Sequence, residues 1–410
     1  MELLITDIEE LCTMSEDTGE GPLGILKGAA VGFSGGEVCY VGPAQKAPDA
    51  RRILSAKGCV GLPGLVDCHT HALFSGSRAE EFSRRLAGAS YSEILESGGG
   101  ILSTVAATRA ASDAELSGLL TARLNGFLAG GVTTVEVKTG YGLSATHEVR
   151  MLSLLQKGQW PTAVVPTFLG AHALPLEYRE DRGGYVDCVV EEMLPLAAEL
   201  AEAVDVYCDR GAFTLEEAER ILRAGMAHGL QGRIHAEQVE YTGSAAMAAG
   251  LGCASADHLE RIDAAGIDAM AQAGTVGVML PGAMMYLRDD APPVGALLEA
   301  GVALAVATDF NPGSSPVRDL LACATLSCLN MGLSVQQALL GITRHAGQAL
   351  GRGELGWLGP GSAADLVLIA PPPGEPVCSD SLVQYLGGHR ASVVVRGGVV
   401  ALDVDNRLGC

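Results

Sequence analysis

Two histidines one residue apart, His69 and His71, close the apolar run 59–66. Side chains of an extended strand alternate faces, so residues i and i+2 project together. The pair can therefore meet a single metal ion at a strand's end, and neutral imidazole is the commonest metal-binding side chain. Two histidines that merely sit near a turn are the plain alternative, and the pair alone does not decide. Polar residues also end other apolar runs: Glu136-Val137-Lys138-Thr139-Gly140-Tyr141, Ala171-His172, Cys208-Asp209, His235-Ala236-Glu237-Gln238, Asp257-His258 and Thr308-Asp309-Phe310-Asn311-Pro312-Gly313-Ser314. Each histidine alone could be a hydrogen-bonded core residue. Together, His69, His71, His235 and Asp309 offer three imidazoles and a carboxylate, which suits Zn²⁺ or Fe²⁺ with a place left for water. His147, His228, His345 and His389 fall in helical or terminal stretches and carry no expected chemistry.

The elements that must position these groups follow from the apolar pattern. Short apolar strands are expected at residues 58–67, 132–138, 163–169, 203–208, 232–236, 254–258, 275–280 and 302–308. Amphipathic windows of helical length separate most of them, including 215–228, and two more helices are expected at 316–329 and 335–350. Strands alternating with helices predict an α/β fold with a parallel sheet. About eight strands is the count of a (β/α)₈ barrel, whose reactive residues stand at the C-terminal strand ends. An open doubly wound sheet competes, but no Gly-x-Gly-x-x-Gly follows an early strand. Gly98-Gly99-Gly100 lacks the Gly-Lys-Ser/Thr of a phosphate loop and reads as a mobile or tightly turned active-site loop. Residues 1–58 and 351–410 are rich in short strands, with Ser34-Gly35-Gly36 placed for a hairpin turn. They are expected to build one small β-sandwich domain around a barrel of residues 59–350.

Composition narrows the partners. The chain of 410 residues is 48% hydrophobic and 18% charged, enough to bury a large core. A formal charge of −21 argues against nucleic acid or an anionic membrane. The first residues, Met1-Glu2-Leu3-Leu4-Ile5-Thr6-Asp7, lack the basic start of a signal peptide, and no apolar run reaches the ~20 residues of a membrane span. Eleven scattered cysteines without a Cys-x-x-Cys pair read as small buried hydrophobes in a reducing cytoplasm.

Longer strings carry a more specific signal. Pro63-Gly64-Leu65-Val66-Asp67-Cys68-His69-Thr70-His71, Ser90-Tyr91 with Gly98-Gly99-Gly100-Ile101, and Val135-Glu136-Val137-Lys138-Thr139-Gly140-Tyr141-Gly142 come first. Thr167-Phe168-Leu169-Gly170-Ala171-His172, Ser255-Ala256-Asp257-His258-Leu259 and Thr308-Asp309-Phe310-Asn311-Pro312-Gly313 follow. With these the chain resembles the amidohydrolase superfamily and, within it, the imidazolonepropionase family, over nearly its whole length. The resemblance implies one zinc or iron ion (Fe²⁺ or Fe³⁺) on His69, His71, His235 and Asp309. It implies substrate contacts from Arg78, Tyr141, His172, Gln238 and Ser314, with Asn311 and Gly313 near the product. The family usually has Thr at the position of Ser314, where the hydroxyl survives. Position 238 is Gln in many members and Glu in others; Gln238 cannot shuttle a proton.

The reaction so implied is hydrolysis of the lactam of 4-imidazolone-5-propanoate, a small anion, to N-formimino-L-glutamate. Asp309 is the expected base and His258 the expected polariser of the attacked carbonyl. Arg78 matches the propanoate through two parallel hydrogen bonds, although Arg78-Ala79-Glu80-Glu81 also reads as a surface charge cluster. Relatives with two metals carry a carboxylated lysine on strand 4, whereas Lys138 stands on strand 2. It is expected to pair with a carboxylate or to support Tyr141. A nucleobase deaminase with the same metal donors is the nearest alternative, and a non-catalytic relative is made improbable by the four retained donors. A homodimer is the assembly the resemblance suggests.

Overall fold

The computed structural model describes residues 1–88 and 99–407. Ser90, Tyr91 and Gly98, quoted in the motif strings, lie outside the described residues. Eight parallel strands follow one another in sequence order around the central sheet. They are strands 1 (Leu65–Asp67), 2 (Val132–Lys138), 3 (Ala163–Ala171) and 4 (Ala203–Cys208), then 5 (Gln231–Ala236), 6 (Ser255–His258), 7 (Val276–Met279) and 8 (Leu304–Val306). The sheet closes just beyond its C-terminal edge, where the Asp309 N–H donates to His69 C=O (3.0 Å) and the His71 N–H to Phe310 C=O (2.9 Å). The expected barrel is therefore present, and the strands that close it carry His69, His71 and Asp309.

Alternation along these strands sorts two kinds of chemistry. On strand 2, Val135 and Val137 join the large apolar cluster that also takes Val204, Val206, Ile234 and Ala256 from strands 4 to 6. Glu136 and Lys138 face the other way and ion-pair with Arg233, Asp205 and Asp257. Strands 2 and 6 are not neighbours in the sheet, so Lys138 and Asp257 meet across the barrel interior. The interior is thus a charged column beneath the site.

Helix boundaries follow local chemistry. Leu215–Ala227 begins after Thr214, whose side chain and that of Glu217 form a reciprocal capping box. The helix expected from 316 starts at Leu320, because the Asp319 carboxylate caps it by accepting from the Ala322 N–H (3.0 Å). The segment expected as one helix over 335–350 is two, Val335–Gly341 and Arg344–Ala349. Between them the Ile342 carbonyl turns out to accept the Val66 N–H (3.0 Å), tying the break to strand 1.

The single strand expected over 58–67 is also two strands, and they belong to different sheets. Val60–Pro63 pairs parallel with Leu3–Cys12 and antiparallel with Leu366–Ile369 in the small domain, whereas Leu65–Asp67 enters the barrel. Gly64 makes the step. A Cβ there would stand 2.2 Å from Thr133 Oγ1 and 2.7 Å from Asp365 Cβ, so no larger residue fits between the domains. The small sheet is mixed and eight-stranded, adding Ile25–Ser34, Glu37–Pro43, Arg52–Ser55, Ala391–Arg396 and Val399–Asp403. Ser34 pairs with Glu37 around Gly35-Gly36, as a two-residue hairpin requires. Leu3, Ile5, Ile8, Phe33, Leu54, Leu366, Leu368, Val393 and Val395 give this sheet its own buried core. Both chain ends therefore form one small β domain. The cysteines of the described residues are free and mostly buried, with Cys39 exposed. No helix of the described residues is long and apolar enough to cross a membrane.

Candidate metal centre

His69, His71, His235 and Asp309 converge at the closure of the barrel. His69 Nε2 and His71 Nε2 each lie 3.5 Å from Asp309 Oδ1, and His71 Nε2 lies 3.4 Å from His235 Nε2. The donor atoms of the three histidines all fall within 4.8 Å of one another. Donors held ~2.1 Å from one ion at tetrahedral corners stand ~3.4 Å apart, so these separations match one small cation. Burial, the largest influence, pushes His69 and His71 well below the usual imidazole range and also lowers His235. All three are neutral, with lone pairs available. His69 Nε2 is buried and has no hydrogen-bond partner, a state that costs about 1–3 kcal/mol unless something takes the lone pair. The residues present fit a metal ion.

Carboxylates behind two of the imidazoles set their orientation. His69 Nδ1 lies 2.6 Å from Asp257 Oδ2, and His235 Nδ1 lies 3.1 Å from Asp205 Oδ1. An Nδ1–H donated to each carboxylate leaves Nε2 unprotonated and aimed at the centre. Asp205 was not singled out from the sequence, although a lone Asp inside Ala203-Val204-Asp205-Val206 is the pattern that could have flagged it. Lys138 does pair with carboxylates, reaching Glu136 Oε2 at 2.8 Å and Asp205 Oδ2 at 2.7 Å. Burial opposes its charge, but Asp205, Glu136 and Asp257 outweigh it and raise the pKa further.

Asp309 and His258 have shifted proton affinities. Burial pushes the Asp309 carboxyl up to about 7, with His258 opposing. For His258 burial favours the neutral ring, yet Glu260, Asp309 and Asp257 together raise its pKa. Glu260 is buried with Oε1 3.8 Å from His258 Nδ1, and sequence reading missed it. Asp309 (φ 50°), His258 (φ 81°) and Glu237 (φ 57°) all adopt the left-handed backbone region. Non-glycine residues rarely do so, and the strain of about 1–3 kcal/mol each gathers at functional sites. Strands 1 and 8 hold Asp309 in register, since the Asp67 carboxylate accepts from Thr308 Oγ1 (2.7 Å) and N–H (3.2 Å).

The remaining expected contacts surround this centre. His172 stacks on His71 (4.8 Å between ring centroids) and points Nδ1 at Gly140 C=O, 3.1 Å away. Burial lowers its pKa to about 3, so it is neutral, with Nε2 free to accept. The Tyr141 ring lies 5.4 Å from His172 and 6.0 Å from His71. Its loop is clamped from both sides. Buried Glu148 accepts the N–H groups of Gly140, Gly142 (2.8 Å) and Leu143 (2.8 Å), while Arg109 donates to the carbonyls of Gly142 (2.7 Å) and Leu143 (3.1 Å). Neither clamp was visible in the sequence, because both come from helices outside the strand ends. Gln238 Oε1 accepts from Tyr207 Oη (3.0 Å), whose ring stands 5.6 Å from His235.

Arg78 sits against Gly313, where a Cβ would come within 2.0 Å of Nη1. Its Nε and Nη2 are bonded to Glu81 at 2.9 and 2.5 Å, so the charge cluster with Glu81 is real. Glu81 also accepts the Gly100 N–H (3.0 Å), and Arg85 bonds Gly313 C=O (2.9 Å). Asn311 takes the N–H groups of Gly313 (2.8 Å) and Ser314 (2.7 Å) and donates to Asp309 C=O (2.7 Å). Its amide and the Ser314 hydroxyl are also mutually bonded (2.9 Å), so this pair shapes the turn that carries Asp309.

Known proteins share this chain's sequence and fold. The model of the amidohydrolase family matches residues 60–400. A protein named imidazolonepropionase from Polaromonas sp. (strain JS666) is 46% identical over 393 residues, covering 94% of this chain and 91% of its own. A protein of the same name from Rhizorhabdus wittichii is 47% identical over 366 residues, covering 87% of this chain and 91% of its own. Among solved structures, the zinc complex of atrazine chlorohydrolase TrzN from Arthrobacter aurescens TC1 superposes with a TM-score of 0.75 at 19% identity. That match covers 98% of this chain and 95% of the other. A zinc-bound adenosine deaminase from Xanthomonas campestris gives 0.72 at 19% identity, over 98% and 93%. The structural likenesses establish the fold, and the high identities go further.

Proposed function

The chain belongs to the amidohydrolase family, alongside the imidazolonepropionases, and on that footing we propose that it opens the lactam ring of 4-imidazolone-5-propanoate by hydrolysis. The product is N-formimino-L-glutamate, a step of histidine degradation. The observation that carries this reading is the convergence of three neutral imidazoles and one carboxylate at the barrel's closure. One divalent ion bound there, zinc or iron, supplies a Lewis acid that brings the pKa of water towards ~7.

The protein's own groups account for the proton traffic. Hydrolysis joins a water oxygen to the carbonyl carbon, breaks the ring C–N bond and moves one water proton to the departing nitrogen. Asp309, the one carboxylate among the donors, takes that proton and returns it to the nitrogen. His258, whose positive form is favoured by Glu260, donates to the carbonyl oxygen as negative charge develops. Tyr141 and neutral His172 meet the polar edge of the ring, and Gln238 has amide hydrogens to donate. Arg78 receives the propanoate while Glu81 fixes its guanidinium plane. The net charge of −21 does not forbid an anionic substrate, because screening acts over ~8 Å at physiological salt. We also propose a homodimer, supported by the family resemblance and checked by light scattering.

Asp309→Ala tests the base assignment. Turnover should fall by at least ~100-fold. Near-wild-type turnover with metal still bound would refute the role given to Asp309.

A further inference from the structure

We propose that Lys138 is a positioning residue for the metal centre: its ammonium stands between Asp205 and Asp257 and holds both carboxylates on the Nδ1 atoms of His235 and His69. The inference rests on the metal-centre reading above and concerns how the apoprotein prepares that centre.

Three strands meet at one nitrogen. Lys138 Nζ lies 2.7 Å from Asp205 Oδ2 and 3.7 Å from Asp257 Oδ2, and 2.8 Å from Glu136 Oε2 below. All four side chains are fully buried. Asp205 divides its two oxygens, giving Oδ1 to His235 and Oδ2 to Lys138. Buried Asp205 Oδ2 has no hydrogen-bond partner, so the Lys138 ion pair is what offsets its burial. Asp257 accepts from Ser255 Oγ on Oδ1 (2.7 Å) and faces both His69 and Lys138 with Oδ2. Glu136 holds the ammonium from beneath and is itself paired with Arg233, which donates further to Thr167 Oγ1 (2.7 Å) and Leu350 C=O (3.2 Å). The column is anchored at its base and branches at its top.

Charge and shape both favour lysine here. Two carboxylates near one another in a dry interior repel unless a cation lies between them. An ammonium is a compact charge that fits within 4 Å of all three acidic groups, whereas a guanidinium is planar and larger. Without the cation, the carboxylates swing apart and leave the imidazole Nδ1–H groups unheld. Either ring can then place its proton on Nε2, the atom that must be bare to bind metal.

The test compares zinc affinity, by chelator competition, in the wild type, Lys138→Met and Glu136→Gln. Each protein is first shown to fold by circular dichroism. Lys138→Met should weaken zinc binding by ~10–100-fold. Glu136→Gln disturbs the same buried column but leaves the ammonium between the aspartates, so its affinity should stay near wild type. Nitrogen-15 NMR of the metal-free wild type should show His69 and His235 protonated on Nδ1, and Lys138→Met should lose that preference. Equal affinity and unchanged tautomers in Lys138→Met overturn the inference while the metal centre stands; equal losses in both variants overturn it too. A wild type that takes up no zinc or iron removes the metal centre and this inference with it. Should Lys138→Met not fold, Lys138→Gln replaces it in both measurements, and the same outcomes support or overturn the proposal.

Discussion

Arg78 shows how little of a residue's role can be read from its type. Only the family resemblance implied an anion grip, and the structure puts the guanidinium against Gly313 with two of its nitrogens bonded to Glu81. Glu81 aligns the guanidinium, and Nη1 lies against Gly313. Arg78→Met should therefore raise KM and lower kcat/KM by ~10–100-fold, the scale of one charge-assisted hydrogen-bonded pair. Steady-state kinetics decides it, and an unchanged kcat/KM removes Arg78 from the site. The metal donors were legible because histidine and aspartate are conspicuous at the ends of apolar strands. Their supports were not. Asp205 and Glu260 are single acids whose meaning depends on which strand lies next to which.

At the scale of elements, the loop after strand 2 depends on a helix for its shape. Glu148 lies in the helix Ala145–Lys157 and accepts three N–H groups of the loop that presents Tyr141. Glu148→Gln puts an NH₂ group where an acceptor is needed. Catalytic efficiency should drop ~10-fold and the melting midpoint should fall, by ~2 kcal/mol of stability. Wild-type kinetics in a folded Glu148→Gln variant would show that Tyr141 needs no such clamp. The helix Leu215–Ala227 offers a pH-dependent case away from the site. Burial alone would raise the Glu217 pKa, but Arg182 and the Thr214 N–H hold it below the ordinary 4.5. A carboxylate with a depressed folded pKa stabilises above its unfolded value and loses that contribution as pH falls through the folded one. Glu217→Gln should thus cost ~1 kcal/mol at pH 7, and its melting midpoint should converge on wild type well below pH 4.5. A constant difference at every pH would assign the effect to packing. Strand periodicity made the barrel readable, but it could not show that residues 60–63 and 65–67 part at Gly64 into two sheets. Both segments are apolar, and only contact with Thr133 and Asp365 separates them.

Across the whole molecule, a small β domain from both chain ends braces a barrel whose interior is a charged column. Such a column is costly to bury without partners, and a cation held by the three imidazoles and Asp309 would complete its upper end. Binding that ion should stabilise the fold by ~4 kcal/mol at a thousandfold excess over Kd. Stripping with a chelator should lower the melting midpoint and re-addition of metal should restore it, whereas an indifferent midpoint would place the ion elsewhere. The two-ended β domain was legible because strand-rich composition recurs at both termini. The column was not, because charged residues scattered over strands 2, 4, 5 and 6 become one network only when the sheet closes.

The most direct measurement joins metal content to ring opening in a single preparation. Purified protein is expected to hold one zinc or iron per chain and to hydrolyse 4-imidazolone-5-propanoate to N-formimino-L-glutamate, with both properties lost together in His69→Ala. Metal-free protein with full activity, or a fully metallated wild type that leaves the ring intact, would contradict the account.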